Sequence, residues 1–163
     1  MKILTPVDGS KASINAVKKA IEIAGKYDFS IKLVTVITFH ESRRDRRNEH
    51  LWRQVDGSII SGRSVLVEED QFTNKLRDTA NKLLDSIVAS FDFGSIKVER
   101  EVLLGEAYEE ILEVAKKEKF DLIVMANRGF SSIKHFFTGS VVQRVISEAP
   151  CPVLVIHADA ESE

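Results

Sequence analysis

The feature that most constrains the fold is a regular alternation of short apolar runs with amphipathic stretches. Amphipathic stretches with helical spacing begin after Ser10, at about Glu69, at Ala107 and at Ser140, and Gly25 suits the end of the first. They separate apolar runs typical of β-strands, which lie at residues 2–7, 31–37, 96–102, 120–125 and 152–156. Because two parallel strands need a crossover segment between them, this alternation predicts an α/β fold with a parallel sheet.

The order of the strands decides where such a sheet binds a ligand. Right-handed crossovers that cover both faces favour the order 3-2-1-4-5, in a single-domain, doubly wound, open five-stranded sheet with four main helices. The run 120–125 is nearly all apolar and is predicted to be central, whereas 96–102 alternates and is predicted to be an edge strand. Ligands bind beyond the carboxyl ends of the strands where the winding reverses, here between the first and fourth strands.

Two segments fall outside the alternation. Residues 40–70 combine charges, glycines and scattered apolar side chains, so we expect a variable excursion that is part helix and part mobile loop. The four arginines between Arg43 and Arg47 are interpreted as a solvated basic face, with a phosphate or nucleic-acid contact as the alternative. Residues 158–163 are predicted to form a disordered acidic tail, which leaves 1–157 as one domain.

Composition argues against several classes of protein. The formal net charge of -2 over 163 residues gives no global positive field that would favour nucleic acid or anionic lipid. No apolar run approaches the roughly 20 residues of a membrane-spanning helix, and the N-terminus becomes charged too soon for a secretory signal. The single cysteine, Cys151, rules out an intrachain disulfide and fits a reducing compartment. We therefore expect a cytoplasmic protein without membrane or nucleic-acid partners.

The segment from Ala126 to Ser140 is the strongest functional signal. It reads ANRGFSSIKHFFTGS, follows an apolar strand and leads into a helix that starts near Gly139. A helix N-terminus presents free backbone N–H groups and the positive end of its dipole, so this arrangement predicts a phosphate site. The chain has no G-x-x-x-x-G-K-[ST] motif and no G-x-G-x-x-G after the first strand. These absences argue against a P-loop NTPase and a dinucleotide-binding oxidoreductase.

Residue spacing assigns no catalytic or metal site. His40, His50, His135 and His157 are dispersed and lack the spacing of metal ligands. Cys151 lies between two prolines with no neighbour that would lower its pKa, so we interpret it as a small buried residue. No Ser/His/Asp or Cys/His arrangement is apparent from the spacing.

With these segments in place, the chain resembles the universal stress protein family of adenine nucleotide-binding α/β proteins. The motif of that family is glycine, two residues, glycine, nine residues, glycine and then serine or threonine. Gly129, Gly139 and Ser140 fall in register with it, and Ala126 stands at the first glycine. The opening strand and turn and the closing helix and strand also resemble those of the family, so the likeness spans nearly the whole chain.

The resemblance implies an adenine nucleotide as ligand, ATP or else ADP or AMP, with Mg²⁺ accompanying bound ATP and needing no dedicated protein cage. Asp8 would meet the ribose and Val36 would pack on the adenine ring, while other residues border the sugar and the phosphates. Carried over by position, the implied binding residues are Pro6, Val7, Asp8, Val36, Met125, Ala126, Arg128, Gly129, Gly139, Ser140, Val141 and Val142.

The alanine at position 126 bears on how tightly such a ligand would be held. Glycine serves where the backbone needs a positive φ or where a ligand approaches closely. Alanine is tolerable at this position if only space matters, and it costs more if φ is positive.

The resemblance also implies a regulatory or stress-response protein that forms a homodimer. The strand Pro152–Ile156 would pair with its mate and so cover an apolar sheet edge. Since no general base or arginine finger can be assigned, any ATP hydrolysis would be slow. Two alternatives remain open: a partner-binding stress protein that does not use nucleotide, and a weak ATPase or phosphotransferase acting through Ser140 or the 40–70 segment.

Overall fold

The computed structural model describes residues 1–41, 49–53, 59–63, 66–127 and 139–157, and between residues 39 and 71 it describes the backbone only. In chain order its elements are β1 (Lys2–Pro6), α1 (Lys11–Tyr27), β2 (Ser30–Ile37), β3 (Phe39–Glu41), β4 (Glu49–Arg53), β5 (Ile59–Arg63), α2 (Leu66–Ser90), β6 (Val98–Leu104), α3 (Ala107–Lys117), β7 (Leu122–Ala126), α4 (Ser140–Glu148) and β8 (Val153–Ile156).

Five of these strands form a parallel sheet in the order β6-β2-β1-β7-β8. Counted along the chain within this sheet, the order is 3-2-1-4-5, which confirms the predicted doubly wound architecture. β6 is an edge strand and β7 lies between β1 and β8, as their hydrophobic patterns indicate. The reversal of winding therefore lies between β1 and β7.

β1 and β7 part before they reach the carboxyl edge of the sheet. Within the described residues their pairing stops at Leu4 and Ile123. Beyond that point the N–H of Val7 donates to the carbonyl of Val34 at 2.8 Å, so the end of β1 follows β2. A crevice consequently opens between β1 and β7.

Helices cover both faces of the sheet. Val17 of α1 and Leu84 of α2 belong to one buried cluster, which fills the first face. Ile111 of α3 and Val145 of α4 belong to another cluster, on the opposite face. Parallel strands that are buried on both faces consist of continuous runs of apolar residues. This explains why the strands of this sheet were easy to predict from the sequence.

α1 begins at a strong cap and ends without glycine. Its N-cap is Ser10, whose Oγ accepts the N–H of Ser13 at 3.2 Å. The sequence predicted that Gly25 would end the helix, but α1 continues to Tyr27. The helix closes at Asp28, which adopts a left-handed φ of 56°. Aspartate tolerates this conformation better than most residues, so it replaces the expected glycine.

Residues 39–63 contain a second sheet that the sequence did not predict. β3, β4 and β5 pair in an antiparallel manner in that order. Each is three to five residues long, too short for a two-residue period to stand out among the charges and glycines of this region. α2 begins at Leu66, slightly before the predicted Glu69. The segment Arg43–Arg47 and the predicted acidic tail 158–163 lie outside the described residues.

A charged triad holds the C-terminal end of α3 on the sheet. The Nζ of Lys32 in β2 lies 2.7 Å from the Oε2 of Glu101 in β6, and it also pairs with Glu118 at the end of α3. Burial lowers the pKa of Lys32, but the hydrogen bonds and charges of the two glutamates outweigh it, so the pKa of this lysine is raised. With this end of α3 fixed, its N-terminal end reaches the crevice.

Two glycines give opposite predictions for substitution by alanine. Gly25 lies inside α1, and an added Cβ would meet the Cδ1 of Ile96 at an ordinary 3.9 Å. Gly25→Ala should therefore raise the free energy of unfolding by about 0.5–1 kcal/mol, as measured by urea denaturation. Gly105→Ala should lower it by more than about 1 kcal/mol, because a φ of +149° strains any side chain there. A destabilised Gly25→Ala variant would contradict the placement of α1.

Candidate functional site

A cavity of about 180 Å³ lies at the crevice between β1 and β7. Its walls come from the carboxyl ends of β1, β2 and β7 and from the N-terminal parts of α1, α3 and α4. The lining residues are Pro6, Val7, Asp8, Ser13, Val34, Val36, Ala107, Ile111, Met125, Ala126, Val141 and Val142. The cavity therefore occupies the topological switch point of the sheet.

The cavity brings together most of the residues that were predicted to bind a ligand. Those that line it are Pro6, Val7, Asp8, Val36, Met125, Ala126, Val141 and Val142. Gly139 and Ser140 stand just before Val141 at the start of α4 but do not line the cavity. Arg128 and Gly129 lie outside the described residues. That these residues bind a ligand stays a prediction.

Four lining residues were not predicted from the sequence: Ser13, Val34, Ala107 and Ile111. Val34 could have been predicted, because it lies on the same face of β2 as the predicted residue Val36. Ser13 lies inside α1, one helical turn after Ser10, and the capping pattern in the sequence points only to Ser10. Ala107 and Ile111 belong to α3, which follows the far edge strand β6. No local signal reveals that α3 crosses back to the switch point.

Asp8 and Ser13 are the polar residues of an otherwise apolar lining. The Oδ1 of Asp8 accepts the N–H of Ser10 at 2.9 Å, which closes a tight turn after β1. Gly9 supplies the φ of 82° in this turn, a conformation that glycine adopts at no steric cost. The turn places one carboxylate beside an apolar slot, a combination suited to a ligand with a hydrophobic ring and hydroxyl groups.

Ala126 is compatible with the backbone at the first motif position. It is the last residue of β7 and pairs with Ile156 of β8. Among the described non-glycine residues, those with positive φ are Asp28 and Lys119, so Ala126 has an ordinary strand conformation. Its side chain is 9% exposed and lines the cavity. The alanine thus affects the space in the site and leaves its backbone unstrained.

The start of α4 has no side-chain cap. Its N-cap is Gly139, with φ of -57°, and an added Cβ would meet its nearest neighbour, the carbonyl oxygen of Asn127, at 3.6 Å. The N–H of Gly139 donates to that same carbonyl at 3.2 Å, so this amide is used within the chain. The next amides, from Ser140 onward, have no intrahelical partner by the geometry of a helix N-terminus. They are the ones that can serve an anion.

α3 and α4 are joined beside the cavity. The guanidinium of Arg144 lies 4.4 Å from the ring centroid of Tyr108, a cation–π contact between the two helices. The hydroxyl of Tyr108 donates to the Oε1 of Glu109 at 2.7 Å, which raises the pKa of the tyrosine. The N-cap of α3, Glu106, makes no side-chain capping bond either. Two helix N-termini without side-chain caps therefore border one cavity.

Other chemical features of the described residues are few. In these ranges no group of three or more His, Cys, Asp or Glu side chains is arranged to hold a metal ion. Burial, followed by the charge of Asp121, raises the pKa of the half-buried Cys151 thiol, which disfavours the reactive thiolate. Of the helices that can be described, none combines the length and apolar character needed to cross a membrane.

Known structures share this fold. The universal stress protein UspA from Lactobacillus plantarum superposes with a TM-score of 0.72 at 23% identity, covering 96% of this chain and 97% of its own. A universal stress protein in complex with cAMP has a TM-score of 0.61 at 21% identity, with 98% of both chains covered. A family protein from Arabidopsis thaliana with AMP bound has a TM-score of 0.60 at 18% identity, with 99% and 94% covered.

Comparison of sequences identifies the family as well as the fold. Universal stress protein MJ0531 of Methanocaldococcus jannaschii is 32% identical over 155 residues, which cover 95% of this chain and 81% of that protein. Universal stress protein MJ0577 of the same organism is 29% identical over 156 residues, with 95% and 93% covered. The sequence profile described as the Universal stress protein family matches residues 1–49 and 50–157. This chain therefore belongs to the universal stress protein family.

Proposed function

We propose that the chain binds an adenine nucleotide, with ATP as its main ligand, and acts as a nucleotide-responsive regulatory module in a stress response. The observation that carries the proposal is the cavity at the switch point. It combines an apolar slot, the carboxylate of Asp8 and the start of a helix without a side-chain cap, all within one site.

The apolar slot suits the base. Val36 of β2 and Met125 of β7 present apolar side chains on the two sides of β1. The volume of about 180 Å³ is below the roughly 300–1,000 Å³ of sites that hold a whole drug-sized ligand. A purine ring fits this description better than a complete nucleotide, so the sugar and phosphates would extend from the slot toward Asp8 and α4.

The start of α4 suits the phosphates. Val141 and Val142 of its first turn line the cavity, and the helix dipole places partial positive charge at this end. Neither the φ of Gly139 nor its neighbours require glycine, so its small size is available for the close approach of a ligand. Ser140 adds an exposed hydroxyl, and Arg128 and Gly129 complete the proposed set from outside the described residues.

The bound ligands of proteins with this fold support the choice of adenine. One universal stress protein was solved in complex with cAMP and another with AMP. Neither ligand carries a triphosphate, so the preference for ATP over AMP rests on the free helix N-terminus. Catalysis is not part of the proposal, because no general base can be assigned among the described residues and any hydrolysis would be slow.

ATP binding can be tested together with a variant that separates binding from folding. Nucleotide-free protein should bind ATP in the presence of Mg²⁺ by calorimetry, and ATP at 100 times its Kd should raise the free energy of unfolding by about 2.7 kcal/mol. Gly139→Ala should lose about tenfold in ATP affinity, because its methyl group blocks the start of α4. Its own stability should fall by less than about 1 kcal/mol.

Gly25→Ala is the matched control, since it adds the same methyl group inside α1 and should leave the Kd for ATP unchanged. A melting temperature that millimolar ATP with Mg²⁺ does not move would overturn the proposal. It would favour instead a stress protein that recognises partners without nucleotide. Steady phosphate release that Ser140→Ala abolishes without loss of binding would favour the weak ATPase or phosphotransferase.

The space at Ala126 gives a second prediction. Ala126→Gly should strengthen ATP binding by about threefold to tenfold, because it removes a methyl group from the wall of the cavity. The same change should cost about 0.5–1 kcal/mol of stability, since glycine is disfavoured within a strand. Ala126→Val should weaken binding. Equal ATP affinities for all three proteins would show that this wall does not touch the ligand.

We also propose a homodimer through β8, which is the free edge of the sheet next to β7. Its side chains are half-buried and apolar, and Ile146 on the adjacent α4 is 50% exposed. An apolar edge strand of this kind is prone to pair with another chain. The carbonyls of Pro152 and Ile156 accept bonds from the β7 side, so by alternation the N–H of Val153 faces outward.

Val153→Pro should weaken the dimer, because it removes an outward donor at the first residue of the strand, where proline is tolerated. Light scattering at micromolar concentration should report a dimer for the natural sequence and a larger monomer fraction for the variant. Leu154→Pro, whose N–H faces β7, should instead unfold the edge of the sheet. A monomeric natural protein at that concentration would refute the dimer.

A further inference from the structure

A closed ring of hydrogen bonds joins Asp8, Ser10 and Ser13 at the start of α1. The N–H of Ser10 donates to the Oδ1 of Asp8 at 2.9 Å, and the N–H of Asp8 donates to the Oγ of Ser13 at 3.4 Å. The Oγ of Ser13 donates to the carbonyl of Ser10 at 2.9 Å, and the N–H of Ser13 donates to the Oγ of Ser10 at 3.2 Å. The turn after β1 is therefore fixed from both sides.

The hydroxyl of Ser13 is not needed to start α1. Ser10 alone supplies the N-cap of α1, and the neighbouring buried positions Ala12 and Ala16 are alanines. Ser13 is 2% exposed, so its hydroxyl is buried and depends on partners within the protein. Its Oγ lies within hydrogen-bonding distance of the Asp8 amide, and both residues line the cavity. The hydroxyl therefore acts on Asp8.

The ring leaves one oxygen of Asp8 for a ligand. Among the described residues, Oδ1 is the carboxylate oxygen that is hydrogen-bonded, by Ser10. With Oδ1 and the backbone N–H both held, the carboxylate cannot turn freely, and Oδ2 keeps a fixed position at the cavity. A carboxylate oxygen accepts hydrogen bonds from sugar hydroxyls, and fixed geometry makes such recognition selective.

We propose that Ser13 is a positioning residue that makes the site selective for ribonucleotides over 2′-deoxyribonucleotides. This inference rests on the proposed nucleotide binding. A site built to bond a hydroxyl rejects an analogue that lacks it, because the acceptor then loses its partner within the site. Ser13 holds the main chain of Asp8 through the Asp8 N–H, while the N–H of Ser10 holds Oδ1 of the carboxylate. Without Ser13, the main chain that carries this carboxylate is held less firmly, and the penalty for a missing hydroxyl falls.

The test compares the Kd values of ATP and 2′-deoxy-ATP by calorimetry. The natural protein should prefer ATP by about tenfold or more, and Ser13→Ala should reduce this ratio at least threefold, mainly by weakening ATP. Ser13→Cys keeps the size of the side chain but bonds weakly, so it should lower the ratio in the same way. It serves as the readout if the alanine variant folds poorly.

Ser86→Ala is the matched control. The hydroxyl of Ser86 in α2 also donates to a carbonyl three residues back, that of Leu83 at 3.0 Å, but Ser86 does not line the cavity. This variant should leave both Kd values unchanged.

The possible outcomes distinguish a failure of this inference from a failure of the proposed function. If the natural protein binds neither nucleotide, the proposed function fails. If it binds both equally, or if Ser13→Ala weakens both by the same factor, nucleotide binding stands and the role of Ser13 in selectivity is refuted.

Discussion

The separation of β1 from β7 is the constraint on which the site depends. The two strands pair over a short stretch that ends at Leu4 and Ile123, after which each follows its other neighbour. The end of β1 is bonded to β2 through Val7, and the N–H of Asn127 after β7 donates to the carbonyl of Ile156 at 2.8 Å. Each strand end therefore keeps its hydrogen bonds on one side. The crevice opens without leaving a long row of unpaired backbone groups.

Helix N-termini surround this crevice because of the winding. Each helix that follows a parallel strand starts at the carboxyl edge of the sheet, so α1, α3 and α4 all begin near the same point. Their dipoles give the crevice a locally positive character although the whole chain carries a net charge of -2. The electrostatics of the site thus come from backbone orientation, which overall composition cannot reveal. The carboxylate of Asp8, which lines the crevice, partly offsets this positive character.

The sequence predicted what depends on local pattern and missed what depends on long-range packing. Strand order followed from the alternation of elements, whereas eight of the twelve lining residues were named through the family resemblance. Ile111 was missed because its place at the cavity depends on how α3 crosses from the far edge strand, a relation between distant segments. Gly25 misled for a different reason: glycine commonly follows the end of a helix, but α1 continues two residues past Gly25 and closes at Asp28. The strands β3 to β5 were not predicted, because each is too short to show the two-residue alternation of apolar and polar side chains that marks a strand.

The glycine in the turn after β1 and the small residues at two motif positions serve different physical purposes. Gly9 needs its glycine for conformation, since its φ is 82°. Gly139 has a φ of -57° and Ala126 lies at the end of a strand, so neither position needs glycine for its backbone. At Ala126, which lines the cavity, the size of the side chain therefore affects the space of the crevice. Because alanine is the smallest side chain after glycine, the departure at 126 narrows the site without distorting it. Affinity at such a site can change by small steps while the fold stays intact.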